Sequence, residues 1–575
     1  MTSKLNSLKN ELSRLQFEGY ILPSTDEFQS EFPPKYARRL EYLLDFPCSN
    51  GIIIVLKKQA LFFTDGRYLY DAKTSLENDY LKVLNIKDLA TIDWEDFNIS
   101  KEDKIAYNPK LFSTKLISFF SKLNLNPINQ ELIDNIWKDK PAIQAGDIFE
   151  YDIQFSGKDA GSKIALIRKI INEKNSEGLI LTAPDSICWL LNLRAQDSEY
   201  SPIILSYLYI DFDKVVLFTF DRAIPTQAEK YLVIKQFNEF ESFVKKLSKK
   251  IIVPENSNIY IKNLLPSGSC IFTEDPVEKL KAQKNEIECE NAKKVHVNDA
   301  IALAEFYGWL DDVLSSSNYA ISEFELGEKL TYFRKKINGF LMESFPPICG
   351  FGENAAKIHY RASKDHCKKI SDSGLLLIDS GGHYFGGTTD VTRTTLINNK
   401  SESINQEYKE YYTLVLKGHI ALASIRFPKG IKGGNLDVLA RQYLWMNRAD
   451  YMHGTGHGVG NALSVHEGPG FIGLNDHKNV LKEGMIFSNE PGFYKDGQFG
   501  IRIENLQYIK KDAINENFLE FEQLTLVPYC KDLILFDKLT TDEKRYLEFY
   551  NEKIARNIVP LISNKAKKFV ESNIW

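Results

Sequence analysis

The most informative part of the sequence is LLLIDSGGHYFGGTTDVTRTTLI, residues 375–397. Two runs of strand-forming residues flank a loop with four glycines, a pattern that is typical of a hairpin. Asp379 and Asp390 are equally far from the middle of that loop, so the pattern predicts that they face each other across the paired strands. Because two carboxylates side by side on an apolar hairpin repel each other unless cations neutralise them, a metal site is predicted here.

A second hairpin is predicted in SNEPGFYKDGQFGIRIEN, residues 488–505. Glu490 and Glu504 are equally far from Gly497, which follows Asp496 in a typical turn pair. Opposed acids on one exposed hairpin are common. Two such pairs, both flanked by apolar strands, are not explained as solvated charge, and they strengthen the prediction of a metal site.

Three of the nine histidines lie between the two hairpins, in YMHGTGHGVGNALSVHEGP, residues 451–469. The same segment holds five glycines, which let a backbone approach a site closely. Imidazole is a common ligand for divalent transition metals. Four carboxylates and one imidazole suit two divalent ions of the Mn²⁺, Co²⁺ or Zn²⁺ type. Such a set, with one bridging hydroxide, nearly cancels the charge of two divalent cations.

Length and composition limit the remaining possibilities. A chain of 575 residues is expected to form about three domains. The 72 basic residues are scattered and the net charge is −5, which argues against a nucleic-acid surface. The apolar runs are far shorter than the roughly 20 residues of a bilayer span. Seven widely spaced cysteines without a CxxC pair predict free thiols in a reducing, cytoplasmic environment.

A repeat divides the first half of the chain. SKLNSLKNELSRLQFEGYIL, residues 3–22, aligns without a gap on SKIALIRKIINEKNSEGLIL, residues 162–181. Each copy combines an amphipathic helix with an apolar strand, although any helix–strand unit shares that pattern. The matched lengths favour two duplicated α/β domains, at 1–155 and 156–282. A third domain is predicted at 283–575, with a helical tail from about 530.

These segments, in this order, resemble the pita-bread metallopeptidases. HGTGHGVGNALSVHEGP and NEPGFYKDGQFGIRIEN are most similar to aminopeptidase P. YILPSTDEFQSEFPP, FFTDGRYLYDAK and KDLILFDKLTTDEKRYLEFYN resemble the outer domains of its long, three-domain form. The resemblance implies an α/β (α+β) fold, with two duplicated N-terminal domains followed by a pita-bread catalytic domain.

The resemblance also implies an activity, the release of an N-terminal residue when proline follows it, with peptides of that kind as partners. The resemblance implies two divalent metal ions as cofactors. Mn²⁺ is favoured, and Co²⁺ or Zn²⁺ are the alternatives. A prolidase, which cleaves only Xaa-Pro dipeptides, is the nearest alternative. A catalytically inactive module that binds peptides is a second alternative, although such relatives lose the metal ligands.

The family's metal ligands match five positions of this sequence. Asp379 is expected to bind one ion, and His457 with Glu490 the other. Asp390 and Glu504 are expected to bridge the two ions. A water acidified by both cations would attack the scissile carbonyl, and Glu490 would also transfer its proton to the departing nitrogen.

Five other residues are expected around the substrate, and the three histidines among them match family positions. His359 and His466 are expected to face the substrate and stabilise the oxyanion. His453 is expected to line the proline pocket together with Tyr494. Arg502 lies two residues before Glu504 on the same strand, where it would anchor the peptide backbone or orient carboxylates.

Two further expectations concern the rest of the chain. Arg67, in TDGRY, matches a substrate-contacting arginine of the family, and a structural salt bridge is the alternative. The long forms are homodimers, so the resemblance implies a homodimer here as well. The apolar residues of the tail, 531–575, predict a surface that its own domain, a partner or both must cover.

Overall fold

The computed structural model describes residues 3–315, 320–370, 373–397 and 403–575. The chain forms two compact units. The first comprises Met1–Tyr151, Lys158–Glu199 and Ile203–Glu278, and the second comprises Asp152–Gly157, Tyr200–Pro202 and Lys279–Trp575. None of the described helices combines the length and the apolar character that a bilayer span requires.

The first unit begins with a six-stranded mixed sheet. In spatial order its strands are Leu81–Asn85, Ala60–Thr64, Gly51–Leu56, Gly19–Pro23, Lys104–Tyr107 and Asn124–Pro127. Its helices are Ser3–Arg14, Arg39–Leu44, Leu69–Leu76, Thr114–Ser118 and Leu132–Ile136. Helix Ser3–Arg14 buries Leu5, Leu8 and Leu12, the apolar face that their spacing predicts.

The second sheet of this unit repeats the first. In spatial order its strands are Val233–Gln236, Val215–Thr219, Ser206–Ile210, Gly178–Leu181, Ile251–Pro254 and Cys270–Thr273. Its helices are Ala160–Glu173, Pro184–Leu191, Phe240–Val244 and Ile259–Leu264, and the short strands Phe149–Glu150 and Leu193–Arg194 form a separate pair.

Strand order and direction agree throughout the two sheets. In each, the central strand pairs antiparallel with one neighbour and parallel with the other. Gly19 and Gly178, which the repeat aligns, each begin that central strand. The predicted duplication is confirmed, whereas the exact domain boundaries stay predictions.

The helices of the second unit include Glu286–Ser315, the longest helix among the described residues. They are Glu286–Ser315, Glu323–Arg334, Gln406–Ser424, Gly433–Met446, Thr541–Asn557 and Asn564–Asn573, with the short helix Ile153–Ser156, while helix Pro276–Ala282 crosses from the first unit into the second. Helix Gln406–Ser424 contributes Tyr412, Val415, Leu416 and Ile420 to the main apolar core. That core also includes residues of strands Gly374–Ser380 and Val391–Ile397.

Five sheets and ladders complete the second unit. The six-stranded sheet has the spatial order Arg426–Pro428, Phe518–Gln523, Asn505–Lys511, Ile486–Asn489, Gly456–Gly458 and Glu467–Ile472. The two three-stranded sheets are Phe340–Glu343, Gly382–Tyr384 and Gly387–Thr388, and Ile348–Phe351, Gly374–Ser380 and Val391–Ile397. The two-stranded pairs are Gly492–Lys495 with Phe499–Arg502, and Ile321–Ser322 with Lys369–Ile370.

The helical tail is covered mainly by its own unit. Leu547, Tyr550, Ile554 and Ile558 belong to the main core, whereas Phe549 is 59% exposed. The apolar tail therefore gives little support to the predicted homodimer, which rests on the family resemblance.

The first predicted hairpin exists, but its predicted register is wrong. Asp379 lies opposite Thr392, not Asp390. The turn falls at residues 385–386, because Tyr384 pairs with Gly387. Gly386 there adopts a left-handed φ of +102°, which glycine accepts without strain. The two aspartates are therefore diagonal neighbours rather than direct partners.

The second hairpin has the predicted register. Asn489 pairs with Asn505, and Gly492 pairs with Arg502. Glu490 therefore falls opposite Glu504, between those two pairs. Gly497, at the predicted turn, has a φ of +70°. The prediction of two opposed glutamates is confirmed.

A buried carboxyl group in the first unit makes stability depend on pH. Asp26 is fully buried, and its Oδ1 accepts hydrogen bonds from the backbone N–H groups of Phe28 and Ser30, each at 2.9 Å. Its Oδ2 has no hydrogen-bond partner among the described residues. Burial, together with the neighbouring charge of Glu27, raises the pKa of Asp26 to about 6.

Asp26→Asn is expected to gain stability relative to the parent protein as the pH rises from 4 to 7.5. Between the ordinary pKa of 3.8 and the folded pKa of about 6, the folded state holds a proton that the unfolded state has lost. The parent therefore loses stability across this window, by up to about 3 kcal/mol. Thermal unfolding of both proteins at several pH values measures the trend, with the exposed Asp96→Asn as control. A difference that does not vary with pH contradicts the assignment.

Candidate metal centre

Ligand atoms of five acidic and imidazole side chains converge in the second unit. Those of Asp379, Asp390 and Glu504 lie within 4.8 Å of one another. Those of His457, Glu490 and Glu504 form a second group, whose ligand atoms also lie within 4.8 Å of one another. Glu504 belongs to both groups. The structure thus brings together all five residues that the sequence assigns to the metals, and their role as ligands stays a proposal.

His457 is held so that one ring nitrogen faces the carboxylates. Its backbone N–H donates to Oγ of Ser488 at 2.9 Å. Its Nδ1 lies 3.0 Å from the carbonyl oxygen of Gly458, which can only accept, so Nδ1 carries the proton. In the neutral ring Nε2 therefore carries the lone pair, and it lies 3.5 Å from Oδ2 of Asp390 and 3.5 Å from Oε1 of Glu490. This tautomer is the one that a metal ligand requires.

The two carboxylate oxygens of Asp379 have different surroundings. Oδ2 accepts a hydrogen bond from Nη2 of Arg502 at 2.6 Å. Oδ1 is buried and has no hydrogen-bond partner among the described residues. A buried carboxylate oxygen without a partner is costly, and a bound cation removes that cost.

The electrostatics of the group also favour bound cations. Burial, then Asp379, then Glu490 raise the pKa of Asp390 well above its usual range. Burial and Asp390 do the same to the pKa of Glu504. A raised pKa means that the neutral form of each carboxyl group is favoured. Two divalent cations would favour the charged form instead. The residues present therefore fit two divalent ions.

Two hydroxyl groups that the sequence did not single out orient the carboxylates. Thr392 donates to Oε2 of Glu504 at 2.7 Å. Ser488 donates to Oε1 of Glu490 at 3.1 Å. Ser488 lies two residues before Glu490, and Thr392 two residues after Asp390. Since side chains two apart share one face of a strand, this spacing could have identified both.

Of the remaining histidines, His466 lies beside the ligand group. Its ring centroid is 4.3 Å from that of His457, with the rings nearly perpendicular. It also offers a ligand atom within 4.8 Å of Asp390 and His457. His359 is partly exposed and lies in a loop that contacts Arg502 through the carbonyl oxygen of Ile358, at 3.4 Å.

A hydrogen-bonded series fixes His453, Tyr494 and Arg502. Nη1 of Arg502 donates to the Tyr494 hydroxyl at 2.7 Å, and that hydroxyl lies 2.8 Å from Nε2 of His453. Nδ1 of His453 donates to the carbonyl oxygen of Gly454 at 2.7 Å, so Nε2 accepts the Tyr494 proton. Arg502 also donates to the Asp379 carboxylate, which supports one of the two roles predicted for it.

Arg67 belongs to the first unit, where its guanidinium binds Asp65. Nε and Nη2 lie 3.0 and 2.7 Å from the two carboxylate oxygens. The salt bridge considered as the alternative role is therefore present. A contact of Arg67 with substrate stays a prediction.

Comparisons with known proteins agree with this geometry. A model of metallopeptidase family M24 matches residues 290–511. Models of the creatinase/prolidase N-terminal domain and of the C-terminal region of peptidase M24 match residues 139–288 and 517–574. A probable Xaa-Pro aminopeptidase P of Leptosphaeria maculans is 35% identical over 96% of this chain and 95% of its own. The chain belongs to metallopeptidase family M24.

Two solved structures of related enzymes differ in how much of this chain they cover. The X-prolyl aminopeptidase of Caenorhabditis elegans, a cytosolic enzyme with a di-nuclear active site, superposes with a TM-score of 0.93 at 29% identity and covers 100% of both chains. The Xaa-Pro dipeptidase of Bacillus anthracis, at 25% identity and a TM-score of 0.51, covers 64% of this chain and 99% of its own. The M24 chain is therefore similar over its whole length to the aminopeptidase.

Proposed function

We propose that this M24 protein is an Xaa-Pro aminopeptidase, which releases the N-terminal residue from peptides with proline at position two. The observation that carries the proposal is the presence of two ligand groups that share Glu504. The full-length similarity to the C. elegans enzyme supports the aminopeptidase over a prolidase.

Two divalent ions would be held by the five residues described. Asp379 would bind one ion, His457 and Glu490 would bind the other, and Asp390 and Glu504 would contact both. Mn²⁺ is the favoured ion, since carboxylates predominate in the set, with Co²⁺ and Zn²⁺ as substitutes. When bound, such ions acidify water and polarise the scissile carbonyl group.

Glu490 is assigned the proton transfers. Its Oε1 accepts the hydroxyl of Ser488, which leaves Oε2 as the oxygen for the proton of the attacking water. Glu490 would then deliver that proton to the proline nitrogen as the peptide bond breaks. Oε2 lies 3.9 Å from Nδ1 of His453, at the edge of the predicted proline pocket.

His466 and His359 are assigned the stabilisation of the oxyanion, and His453 with Tyr494 the proline pocket. The position of His466 beside His457 supports its role, because a donor there is close to the ligand group. The hydrogen bonds of His453 and Tyr494 to each other and to Arg502 keep both rings in one orientation.

The experiment is hydrolysis of an Xaa-Pro-Pro peptide before chelation, after chelation and after metal is added back. Activity that is lost and then restored is expected, with Mn²⁺ restoring it best. An Xaa-Pro dipeptide and an Xaa-Pro-Tyr-Ala peptide are compared in parallel. Cleavage of the dipeptide alone would identify a prolidase and overturn the proposal.

A homodimer and a cytoplasmic location are proposed as well. Seven cysteines without a disulfide and the cytosolic C. elegans neighbour support the location. Light scattering is expected to give about 132 kDa, twice the chain mass of 65.9 kDa. A monomer at every concentration would contradict the dimer and leave the chemistry unaffected.

A further inference from the structure

The loop that carries His359 is held by one buried carboxylate. The loop, residues 352–368, joins strand Ile348–Phe351 to strand Lys369–Ile370. Glu323 is 0% exposed and lies outside the loop, at the first position of helix Glu323–Arg334. Its side chain contacts the start, the interior and the end of the loop.

Four donors converge on this carboxylate. Oε1 accepts the backbone N–H of Phe351 at 2.7 Å, where the loop begins. Oε2 accepts the backbone N–H of Lys368 at 2.7 Å, where it ends. The hydroxyl of Tyr360, next to His359, donates to Oε2 at 2.8 Å, and Nδ2 of Asn354 lies 3.1 Å from each oxygen.

Glu323 is itself fixed in place. Its backbone N–H donates to the carbonyl oxygen of Lys368 at 2.9 Å. The adjacent Ser322 caps the helix and pairs with Lys369. The N-terminus of the helix stabilises a negative charge at this position. The carboxylate is therefore a rigid anchor for the loop.

The loop also packs on strand Phe499–Arg502, whose Arg502 contacts the Asp379 carboxylate. A Cβ atom on Gly500 would lie 1.9 Å from the carbonyl oxygen of Ala355, so the loop and strand Phe499–Arg502 are in direct contact. Arg502, on that strand, donates to the carbonyl oxygen of Ile358. The segment that carries His359 thus contacts both Glu323 and Arg502.

We propose that Glu323 is a positioning residue for catalysis, which acts by holding the 352–368 loop so that His359 faces the substrate. The proposal rests on the function proposed above. A carboxylate suits this position because it only accepts hydrogen bonds and can take all four donors at once. An amide of the same size would turn an NH₂ group toward two of those donors, and would release part of the loop.

Glu323→Gln is therefore expected to lower kcat on an Xaa-Pro-Pro peptide by roughly tenfold or more, since small displacements of a catalytic group have large effects. KM is expected to stay within threefold, and two metal equivalents should be retained. Glu325→Gln is the matched control, because Glu325 lies on the same helix end and, among the described residues, its carboxylate accepts hydrogen bonds only from Ser322, at 2.7 and 2.8 Å. The kcat of Glu325→Gln is expected to stay within twofold of the kcat of the parent.

A double-mutant cycle with His359→Ala separates positioning from general support of the fold. Glu323→Gln is expected to have less than a twofold further effect on kcat in the His359→Ala background. Independent, multiplying effects would overturn the proposal. If Glu323→Gln does not fold, Tyr360→Phe, which removes one donor and keeps the carboxylate, replaces it in the same cycle.

Hydrogen exchange gives a readout that does not depend on activity. Amides of residues 352–368 are expected to exchange faster in Glu323→Gln than in the parent and in Glu325→Gln. Unchanged exchange in this loop would overturn the proposal even if the variant is less active. If the parent cleaves no Xaa-Pro peptide, the proposed function fails, and the exchange result still decides whether Glu323 holds the loop.

Discussion

Asp390→Asn is expected to abolish peptide hydrolysis and to lower the bound metal below two equivalents. Asp390 lies within 4.8 Å of Asp379 and Glu504 and also of His457, so it reaches both proposed sites. Its neutral amide would be a poor replacement for a bridging carboxylate. The loss should exceed the roughly 10- to 100-fold drop that follows removal of an outer hydrogen-bond partner.

Glu504→Gln is expected to behave in the same way, because Glu504 belongs to both ligand groups. Thr392→Val removes only the hydroxyl that donates to Glu504. Its rate of peptide hydrolysis is expected to fall between the rates of these variants and that of the parent. Asp537→Asn changes an exposed residue and serves as the control. Metal analysis with two equivalents retained and normal hydrolysis would refute the ligand assignment.

The two hairpins show when the residues of a turn are sufficient to predict strand register. Asp496 followed by Gly497 marks one turn, and the register predicted from it is confirmed. The first hairpin offers four glycines, and the pattern does not indicate which of them adopts the left-handed conformation. The structure places it at Gly386, and the register is displaced by two residues.

The duplication was predictable because each copy repeats the same helix and strand in the same order. The strand order was not, because it depends on pairings between distant segments. Gly19–Pro23, for example, pairs with Lys104–Tyr107 in parallel. Local patterns carry little information about such pairings.

The same limit applies to the site. The acidic and imidazole residues of the site can be recognised in the sequence by their spacing. The contacts that hold them in place cannot. Glu323 reaches donors at Phe351, Tyr360 and Lys368, which lie 28, 37 and 45 residues away. Arg502 reaches Asp379 across 123 residues. Only the folded chain shows that these side chains meet.

His466→Ala is expected to lower kcat by roughly 10²-fold or more while both metals stay bound. The reason is that an oxyanion donor acts in the transition state, where its loss has an effect of this size. His466 also offers a ligand atom close to Asp390 and His457, so metal binding is the competing role. Metal content therefore distinguishes the two roles.

The measurements are kcat on an Xaa-Pro-Pro peptide and metal content, for His466→Ala and for the exposed control His477→Ala. A low kcat with two metal equivalents supports the oxyanion role. A low kcat with metal lost would make His466 a ligand instead. A kcat within a few-fold of the parent would exclude both roles, and the oxyanion would then depend on His359, whose loop Glu323 holds in place.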